Sequence, residues 1–248
     1  MNNMHRRIHN RNAGLYSNDF IEVRYPADYL ETHFRCKVVE TIYAREVSEY
    51  LRWANRLAAR YTTHLGGEIE TFITNSVNIA NENDASLSEI RRAMAHGFYN
   101  ALYKYNLVPY FAYGSNMDID QMELRCPGAH FIGEATLENF DFALDLAGYA
   151  TVVPSKDKNT TGILWFISRN DMRKLDSYEG VDFKCYRREY MSVILDGKEV
   201  SSLVYVSERE PYDGTLYRDD YLDNIIDNAM RYEFDPEYVA RLKEWQES

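Results

Sequence analysis

Tyr110-Phe111-Ala112-Tyr113-Gly114-Ser115-Asn116-Met117 marks the point where an apolar, aromatic run ends abruptly in small and polar residues. The apolar part predicts a buried strand over 108–113. Gly114 lets the chain adopt a positive φ or bring its backbone close to a ligand, and Ser115 and Asn116 can bond the nearby backbone and open a helix. A strand that ends this way turns several N–H groups in one direction, which forms a nest for a carboxylate or phosphate. A strand, turn and helix cap without a ligand would explain the same residues.

Downstream of this segment, strand and helix patterns alternate. Ser168 and Asp171 form a capping pair that opens a helix ending at Glu179, and Asp196-Gly197 is a strong two-residue hairpin signal. Asp235-Pro236 supplies the cap and first position of the last helix. The expected strands are 108–113, 140–146, 162–167, 190–195 and 200–206, and the expected helices are 118–125, 168–179, 217–232 and 236–245.

The first hundred residues have a different, mostly helical pattern. Apolar residues recur at helical spacing over 37–61, which predicts an amphipathic helix that ends before Gly66-Gly67. Ser86 and Glu89 form a capping box that opens a second helix running toward Tyr105. Residues 1–12 form a polar tail without a secretory pattern. The sequence therefore predicts a helical region of unknown role at 1–106 and a separate α+β domain at 107–248.

Composition narrows the classes of function. The chain has 248 residues and a net charge of −11, with +1 on residues 1–107 and −12 on residues 108–248. An acidic domain repels nucleic acids, so no nucleic-acid partner is expected, although it would attract a cationic substrate. Three widely spaced cysteines, Cys36, Cys126 and Cys185, indicate free thiols in a reducing, cytoplasmic compartment. No stretch is long and apolar enough to suggest a membrane span, and no Cys/His cluster has metal-ligand spacing.

Five segments of the second half together resemble the γ-glutamylcyclotransferase family (AIG2-like, butirosin-type). They occur in the order and at nearly the separations typical of the family, and they cover about 140 residues. The matching segments are 110–116, 149–154, 162–166, 175–181 and 221–226, the last followed by Ala229. The resemblance implies a small mixed β-barrel with flanking helices. It also implies a cofactor-free reaction in which the α-amine of a γ-glutamyl group attacks its own γ-carbonyl, forming 5-oxoproline and releasing the attached amine.

The resemblance also implies site residues. Glu179 matches the catalytic glutamate of the family and would act as general acid and base. At a helix C-terminus the helix dipole opposes a carboxylate charge, so we expect a raised pKa for Glu179. Tyr221 matches a tyrosine that faces the substrate, while Asn116 and Tyr186 are secondary candidates. The substrate loop corresponds to Tyr110, Phe111, Ala112, Tyr113, Gly114 and Ser115.

Neighbouring charged residues and nucleophiles are weaker candidates. Asp176 is interpreted as a surface charge, while Arg187 and Arg188 either clamp a carboxylate or are solvated. Ser115 lacks the G-x-S-x-G motif of a serine hydrolase, and neither Cys126 nor Cys185 has a recognisable histidine partner. A serine or cysteine hydrolase is therefore not expected.

Two questions about function stay open at this point. The released amine could be an amino acid or a cationic polyamine such as an aminoglycoside-type biosynthetic intermediate, and the acidity of 108–248 favours the second. A non-catalytic binding protein on the same fold is the rival hypothesis, because a fold hosts many functions. The presence of Glu179 argues against the rival, since a degenerate member would lack that acid.

Overall fold

A computed structural model of the protein describes residues 41–59, 63–83, 85–211 and 219–246. The chain divides into two compact units, Met1–Tyr105 and Asn106–Ser248. Several predicted features lie outside the described residues. They are the polar tail, Cys36, both ends (37–40 and 60–61) of the helix predicted at 37–61, and the start (217–218) of the helix predicted at 217–232.

The N-terminal unit contains three helices in its described part: α1 (Thr41–Ala59), α2 (Thr63–Asn81) and α3 (Leu87–Lys104). Their shared core includes an aromatic cluster in which the rings of Tyr50 and Phe98 lie 5.1 and 5.3 Å from that of Trp53. Gly97 allows α2 and α3 to pack closely, because a Cβ there would lie 2.5 Å from the Cα of Ile73. The helical character predicted for this region is confirmed over the described residues.

Local signals explain one of these helices and miss another. The capping box at the start of α3 is present, and the Ser86 N–H donates to Glu89 Oε2 at 2.7 Å. The sequence did not predict α2, because Gly66 and Gly67 in its first turn were interpreted as a break between helices. Both glycines are helical, which shows that packing against neighbouring helices outweighs the low helix propensity of glycine.

The C-terminal unit is built around a closed β-barrel with strand order β1-β5-β2-β6-β7, beside a two-stranded sheet of β3 and β4. Helices α4 to α7 and two short 3₁₀ helices, Ser115–Met117 and Val181–Phe183, complete it. The strands are β1 (Leu107–Ala112), β2 (His130–Leu137), β3 (Phe140–Leu144), β4 (Ala150–Pro154), β5 (Thr160–Ser168), β6 (Tyr186–Leu195) and β7 (Lys198–Ser207), and the helices are α4 (Ile119–Arg125), α5 (Arg169–Tyr178), α6 (Asp219–Arg231) and α7 (Pro236–Glu244). The α+β class and the barrel implied by the resemblance are confirmed.

Strand β1 is central to the barrel, and all six of its residues are buried. It pairs antiparallel with β5 and closes the barrel through a parallel pairing with β7 at Tyr110 and Leu203. Gly162 of β5 makes this packing possible, because a Cβ there would lie 2.3 Å from the Ala112 carbonyl oxygen and 2.8 Å from the Phe111 ring. The end of β1 is thereby fixed where the Gly-Ser-Asn turn begins.

Most of the other predicted elements are confirmed within a few residues. The β6–β7 hairpin turns at Asp196 and Gly197, which have φ values of +49° and +74° as a type I′ turn requires. Ser168 and Asp235 cap α5 and α7. The sequence analysis missed β2 and β4. Strand β2 carries a bulge between Phe131 and Gly133, and this irregularity obscures its alternating pattern.

Candidate functional site

Glu179 lies at the C-terminal end of α5, where the helix stops. Its N–H donates to the Leu175 carbonyl at 2.8 Å, and Gly180 follows in the left-handed conformation with φ +63°. The predicted end of this helix at Glu179 is therefore confirmed within one residue. The Ser168 hydroxyl accepts from the Asp171 N–H at 3.0 Å and fixes the other end of the helix. The two caps hold the half-buried Glu179 side chain at a defined place beside the barrel.

Asn116 connects the turn after β1 to this glutamate. Its Nδ2 donates to Glu179 Oε1 at 3.0 Å and to the Tyr110 hydroxyl at 2.7 Å. Asn116 and Tyr110 are both buried. The structure thus brings three predicted site residues, separated by up to 69 positions in the sequence, into one hydrogen-bonded group.

The environment of Glu179 raises its pKa to about 7, and burial is the largest cause. The Arg125 charge and the Asn116 hydrogen bond act in the opposite direction. The predicted direction is confirmed, but the sequence analysis invoked the helix dipole, whereas burial is the main cause. A carboxyl group with a pKa near 7 can both accept and return a proton at neutral pH.

Three tyrosines lie around the glutamate and use their hydroxyls on the main chain. Tyr113 donates to the Tyr205 carbonyl at 2.5 Å, and Tyr186 donates to the Ala150 carbonyl at 2.6 Å. The Tyr221 oxygen accepts the Ala150 N–H at 3.2 Å. Burial is the largest cause of the raised pKa of each tyrosine, and the negative charge of the glutamate contributes in all three cases. At neutral pH all three side chains are therefore neutral phenols.

Tyr221 and the Gly-Ser turn contact each other directly. The Tyr221 oxygen accepts the Ala150 N–H, and the nearby backbone of Ser115 acts to lower the pKa of the Tyr221 hydroxyl. Because the bond from Ala150 uses the oxygen as acceptor, the hydroxyl proton of Tyr221 can be donated to another group. Gly114 has φ −115°, so the proposed positive φ is wrong. Close approach is the better explanation for this glycine, because a Cβ would lie 3.2 Å from both the Tyr221 oxygen and the Ala150 Cβ.

Two residues of the predicted substrate loop belong to the barrel core. The Phe111 side chain is fully buried and lies over Gly162, and Ala112 is 1% exposed. Their side chains pack inside the unit, so any role at the site would have to come from their backbone. Tyr110, in contrast, presents its hydroxyl to Asn116.

The sequence analysis did not identify Arg125, the last residue of α4. Its Nη1 donates to Asn116 Oδ1 at 2.5 Å and to Ser115 Oγ at 3.3 Å, and its guanidinium lies 5.0 Å from the centre of the Tyr178 ring. The only sequence signal was a basic residue in the last turn of a short predicted helix, which usually indicates a favourable interaction with the helix dipole.

The turn between β3 and β4 holds a second carboxylate that the sequence analysis also missed. Asp145 is completely buried. Its Oδ1 accepts the N–H groups of Ala147 at 2.9 Å and Tyr149 at 3.0 Å, while its Oδ2 accepts from the Ser207 hydroxyl at 2.7 Å and from Arg209 Nη1 at 2.9 Å. These bonds fix the loop that leads into Ala150, the partner of Tyr186 and Tyr221.

Interpreting Asp176 as a surface charge is wrong. Its side chain is 14% exposed, and it accepts hydrogen bonds from the Tyr205 hydroxyl at 2.8 Å and from Arg188 Nε at 2.6 Å. Arg188 is therefore engaged by a carboxylate of the chain itself, and Arg187 pairs with Glu189 at 2.7 Å. Neither arginine is brought to Asn116 or Glu179 by a hydrogen bond.

Thiol and metal chemistry find little support in the described part of the chain. Burial raises the pKa of Cys126 to about 12, so its thiol is protonated at neutral pH and unsuited to nucleophilic attack. Among the described residues, no group of three or more His, Cys, Asp or Glu side chains is arranged to hold a metal ion. None of the described helices combines the length and apolarity needed to cross a membrane.

The arrangement joins a carboxyl group poised for proton transfer to one tyrosine hydroxyl, that of Tyr221, whose proton is not donated to the main chain. Glu179 can remove a proton from an ammonium group and return it to a leaving amine. The hydroxyl of Tyr221 and the backbone of the Gly114 turn offer donors to an anion. These groups together could serve an acyl transfer in which one amine is deprotonated and another is released.

Comparison with known proteins shows what this unit is similar to. The family described as gamma-glutamyl cyclotransferase, AIG2-like, matches residues 110–223. The human gamma-glutamylcyclotransferase is 29% identical over 147 residues, which cover 54% of this chain and 76% of that protein. The bovine protein of the same name is 32% identical over 109 residues, covering 39% of this chain and 57% of that protein.

Solved structures agree with the sequence relatives. A structure described as a gamma-glutamyl cyclotransferase superposes with a TM-score of 0.50 at 26% identity, covering 55% of this chain and 86% of that chain. A human protein described as uncharacterized gives the same TM-score at 27% identity and covers 56% of this chain and 87% of its own. Residues 110–223 of this chain are therefore similar to the gamma-glutamyl cyclotransferase, AIG2-like family, over a match that spans slightly less than half of the chain.

Proposed function

We propose that the protein converts the γ-glutamyl group of a small γ-glutamyl amine or amino acid into 5-oxoproline and releases the free amine. The observation that carries this proposal is the state of Glu179, whose carboxyl group has a pKa of about 7 and is hydrogen-bonded to Asn116. The similarity of residues 110–223 to the gamma-glutamyl cyclotransferase, AIG2-like family supports the same reaction.

In the first step Glu179 acts as a general base. Its carboxylate removes a proton from the α-ammonium of the substrate, and the amine lone pair then attacks the γ-carbonyl carbon, forming the ring C–N bond. Because amine and carbonyl belong to one molecule, orientation supplies a large part of the acceleration, with an effective molarity of about 10⁵ M or more.

In the second step the same residue acts as a general acid. The protonated Glu179 gives its proton to the leaving nitrogen, and the original amide C–N bond breaks as the carbonyl re-forms. The ring nitrogen loses its second proton to water or to the released amine, which leaves the neutral lactam. The products are 5-oxoproline and the free amine. A pKa near 7 suits both directions of proton transfer, which is the advantage of a partly buried carboxyl group over an exposed one.

The α-carboxylate of the substrate would be held by the turn that follows β1. Tyr221 has a hydroxyl proton to donate, because its oxygen acts as the acceptor toward the Ala150 N–H. Tyr113, Gly114 and Ser115 would provide the remaining contacts, with Tyr186 at the margin. This binding role is consistent with the short contact between Gly114 and Tyr221, which leaves no room for a side chain.

The released group would be either an amino acid or a cationic amine. The net charge of −12 on residues 108–248 supports a cationic leaving group, such as an aminoglycoside-type intermediate of antibiotic biosynthesis. The same acidity supports the absence of a nucleic-acid partner. A reducing, cytoplasmic location is supported by the cysteine content.

A substrate panel tests this function. The full chain is incubated with γ-glutamyl amino acids, γ-glutamyl polyamines and glutathione, and 5-oxoproline is measured by mass spectrometry. We expect 5-oxoproline from at least one substrate, and none above background with Glu179→Gln. Tight binding of a γ-glutamyl compound without 5-oxoproline would instead support a non-catalytic binding protein on this fold.

A further inference from the structure

The contacts of Asn116 require its amide to have one orientation. The two ends of an amide side chain have opposite hydrogen-bonding character, since the oxygen accepts and the nitrogen donates. Toward the ionised Glu179, which is the form that acts as a base, Asn116 must present its nitrogen, because an amide oxygen there would face a carboxylate oxygen without a proton between them. The donors that reach its other end therefore determine whether Asn116 can hold Glu179.

Arg125 is the donor at that other end. A guanidinium has only donors, so it can bond the Asn116 oxygen but not the nitrogen. The 2.5 Å bond from Arg125 Nη1 to Asn116 Oδ1 thus excludes the flipped amide and leaves Nδ2 directed at Glu179 Oε1, 3.0 Å away. A lysine could reach the same oxygen but would lack the planar, rigid fork of arginine.

The guanidinium is itself held at three points. It bonds Ser115 as well as Asn116, and it lies over the ring of Tyr178, the residue immediately before Glu179. Arg125 therefore connects the turn after β1, the end of α4 and the end of α5. These are the three segments whose relative positions determine where the carboxylate of Glu179 points.

We propose that Arg125 is a positioning residue of the cyclotransferase site, acting through Asn116 to hold the carboxylate of Glu179 in its reactive orientation. The inference rests on the proposed function of Glu179 and adds a residue that would not touch the substrate. Among the described residues, Arg125 is the charged group that acts on the pKa of Glu179. The other groups that interact with the Glu179 charge are neutral phenols, namely Tyr110, Tyr113, Tyr186, Tyr205 and Tyr221.

Kinetics of matched variants test the proposal. Arg125→Met should lower kcat between about 10-fold and about 100-fold with KM unchanged, because a misplacement of 1 Å costs about 10²-fold. The acid limb of its pH–rate profile should move to higher pH, since the Arg125 charge lowers the pKa of Glu179. Arg125→Lys should recover part of kcat. Arg173→Met, at an exposed position of α5, should match the wild type.

A double variant separates action through Asn116 from an independent role. Arg125→Met combined with Asn116→Ala should be no slower than Asn116→Ala alone, because both changes break the same chain of contacts. Additive losses, or a raised KM with normal kcat in Arg125→Met, would overturn the proposal and indicate that Arg125 binds the substrate. Thermal unfolding of each variant identifies any loss that comes from misfolding.

A direct titration keeps this inference separate from the proposed function. If the wild-type chain forms no 5-oxoproline from any substrate, the proposed function fails. The titration of the Glu179 carboxyl, followed by ¹³C NMR with Glu179→Gln for assignment, still tests the contact chain. Arg125→Met should raise the measured pKa of Glu179 and Arg173→Met should not. An unchanged titration in Arg125→Met would overturn the inference.

Discussion

The turn at Asp145 surrounds its carboxylate with donors, whereas the turn at Glu179 provides one donor from the described residues. Asp145 is 0% exposed and accepts four hydrogen bonds, one of them from Arg209. Glu179 is half-buried and accepts from Asn116. The two residues lie in the same unit and carry the same functional group, so their surroundings account for the difference in role.

This difference separates a structural carboxylate from a reactive one. A carboxylate that accepts several hydrogen bonds holds the groups that donate them in place. Burial without enough donors raises the pKa of Glu179 to about 7. Changes at Asp145 should therefore affect stability first, and changes at Glu179 should affect activity first.

The largest effect is expected for Asp145→Ala. It removes the partner of Arg209 and leaves two main-chain N–H groups without an acceptor, and we expect a loss of about 3 kcal/mol in the free energy of unfolding. This is the low end of the range for broken buried pairs, because the Arg209 side chain is 29% exposed. Urea unfolding measures the loss.

The control for Asp145→Ala is Asp141→Ala, which breaks a partly exposed pair with Lys158. That change should cost less than about 1 kcal/mol. Equal losses in the free energy of unfolding for the two variants would contradict the structural role assigned to the turn at Asp145.

Glu179→Gln, in contrast to Asp145→Ala, should lower activity without lowering stability. Turnover should fall about 10²-fold or more, because the general acid and base is lost while the shape of the side chain is kept. The midpoint of urea unfolding at pH 8 should not decrease. Glu123→Gln, at an exposed position of α4, is the matched control and should leave turnover unchanged. A Glu179→Gln enzyme with normal turnover would place the proton transfers on another residue.

Gly114→Val tests the close approach of the turn after β1 to Tyr221 and Ala150. The added side chain meets the Tyr221 oxygen and the Ala150 Cβ, each 3.2 Å from an ideal Cβ. We expect KM to rise about 10-fold, equivalent to about 1.4 kcal/mol, because the substrate's carboxylate would lose its place beside Tyr221. Backbone strain should contribute little, since φ is negative. Normal KM and stability would mean that this segment is only a turn.

Stability as a function of pH gives a smaller effect with a defined sign. Glu179 binds its proton more tightly in the folded state, where its pKa is about 7, than at its ordinary value of 4.5. Its protonation therefore stabilises the fold at low pH, and that contribution is lost as the pH rises from about 4.5 to about 7. The wild type should lose stability relative to Glu179→Gln across this window. A constant difference between the two proteins would contradict the raised pKa.

The smallest effect concerns ionic strength and the leaving group. If the acidic unit attracts a cationic leaving group, kcat/KM for a γ-glutamyl polyamine should fall with salt, since the Debye length decreases from about 10 Å at 0.1 M to about 3 Å at 1 M. The value for γ-glutamyl-alanine should change little. Equal salt dependence for both substrates would mean that the net charge of −12 on residues 108–248 contributes to solubility and not to substrate attraction.

Local signals account for the parts of the fold that were predicted well. Asp196-Gly197, Ser168 with Asp171, and Asp235-Pro236 each determine a turn or a cap from neighbouring residues alone, and the structure has all three. Strand β2 and helix α2 depend on contacts with distant elements, so their bulge and glycines gave misleading local patterns.

The same division applies to the candidate site. Gly180 ends α5 for a local reason, which made the position of Glu179 predictable. Arg125 and Asp145 were missed because part of each role depends on distant residues. Arg125 contacts Tyr178, 53 positions away, and Asp145 accepts from Ser207 and Arg209, 62 and 64 positions away. The roles assigned to the site residues remain predictions for the experiments above.

The closed barrel also has a consequence for how the protein matures. The bond from Tyr113 to Tyr205 joins residues 92 positions apart, and that from Asn116 to Glu179 spans 63. Contacts between such distant residues form slowly, because a long loop must close before they stabilise the chain. During synthesis, β7 emerges after every other strand and pairs with β1 to complete the ring. Catalytic competence should therefore arise in the last folding phase, and a nascent chain that stops before Lys198 should be inactive.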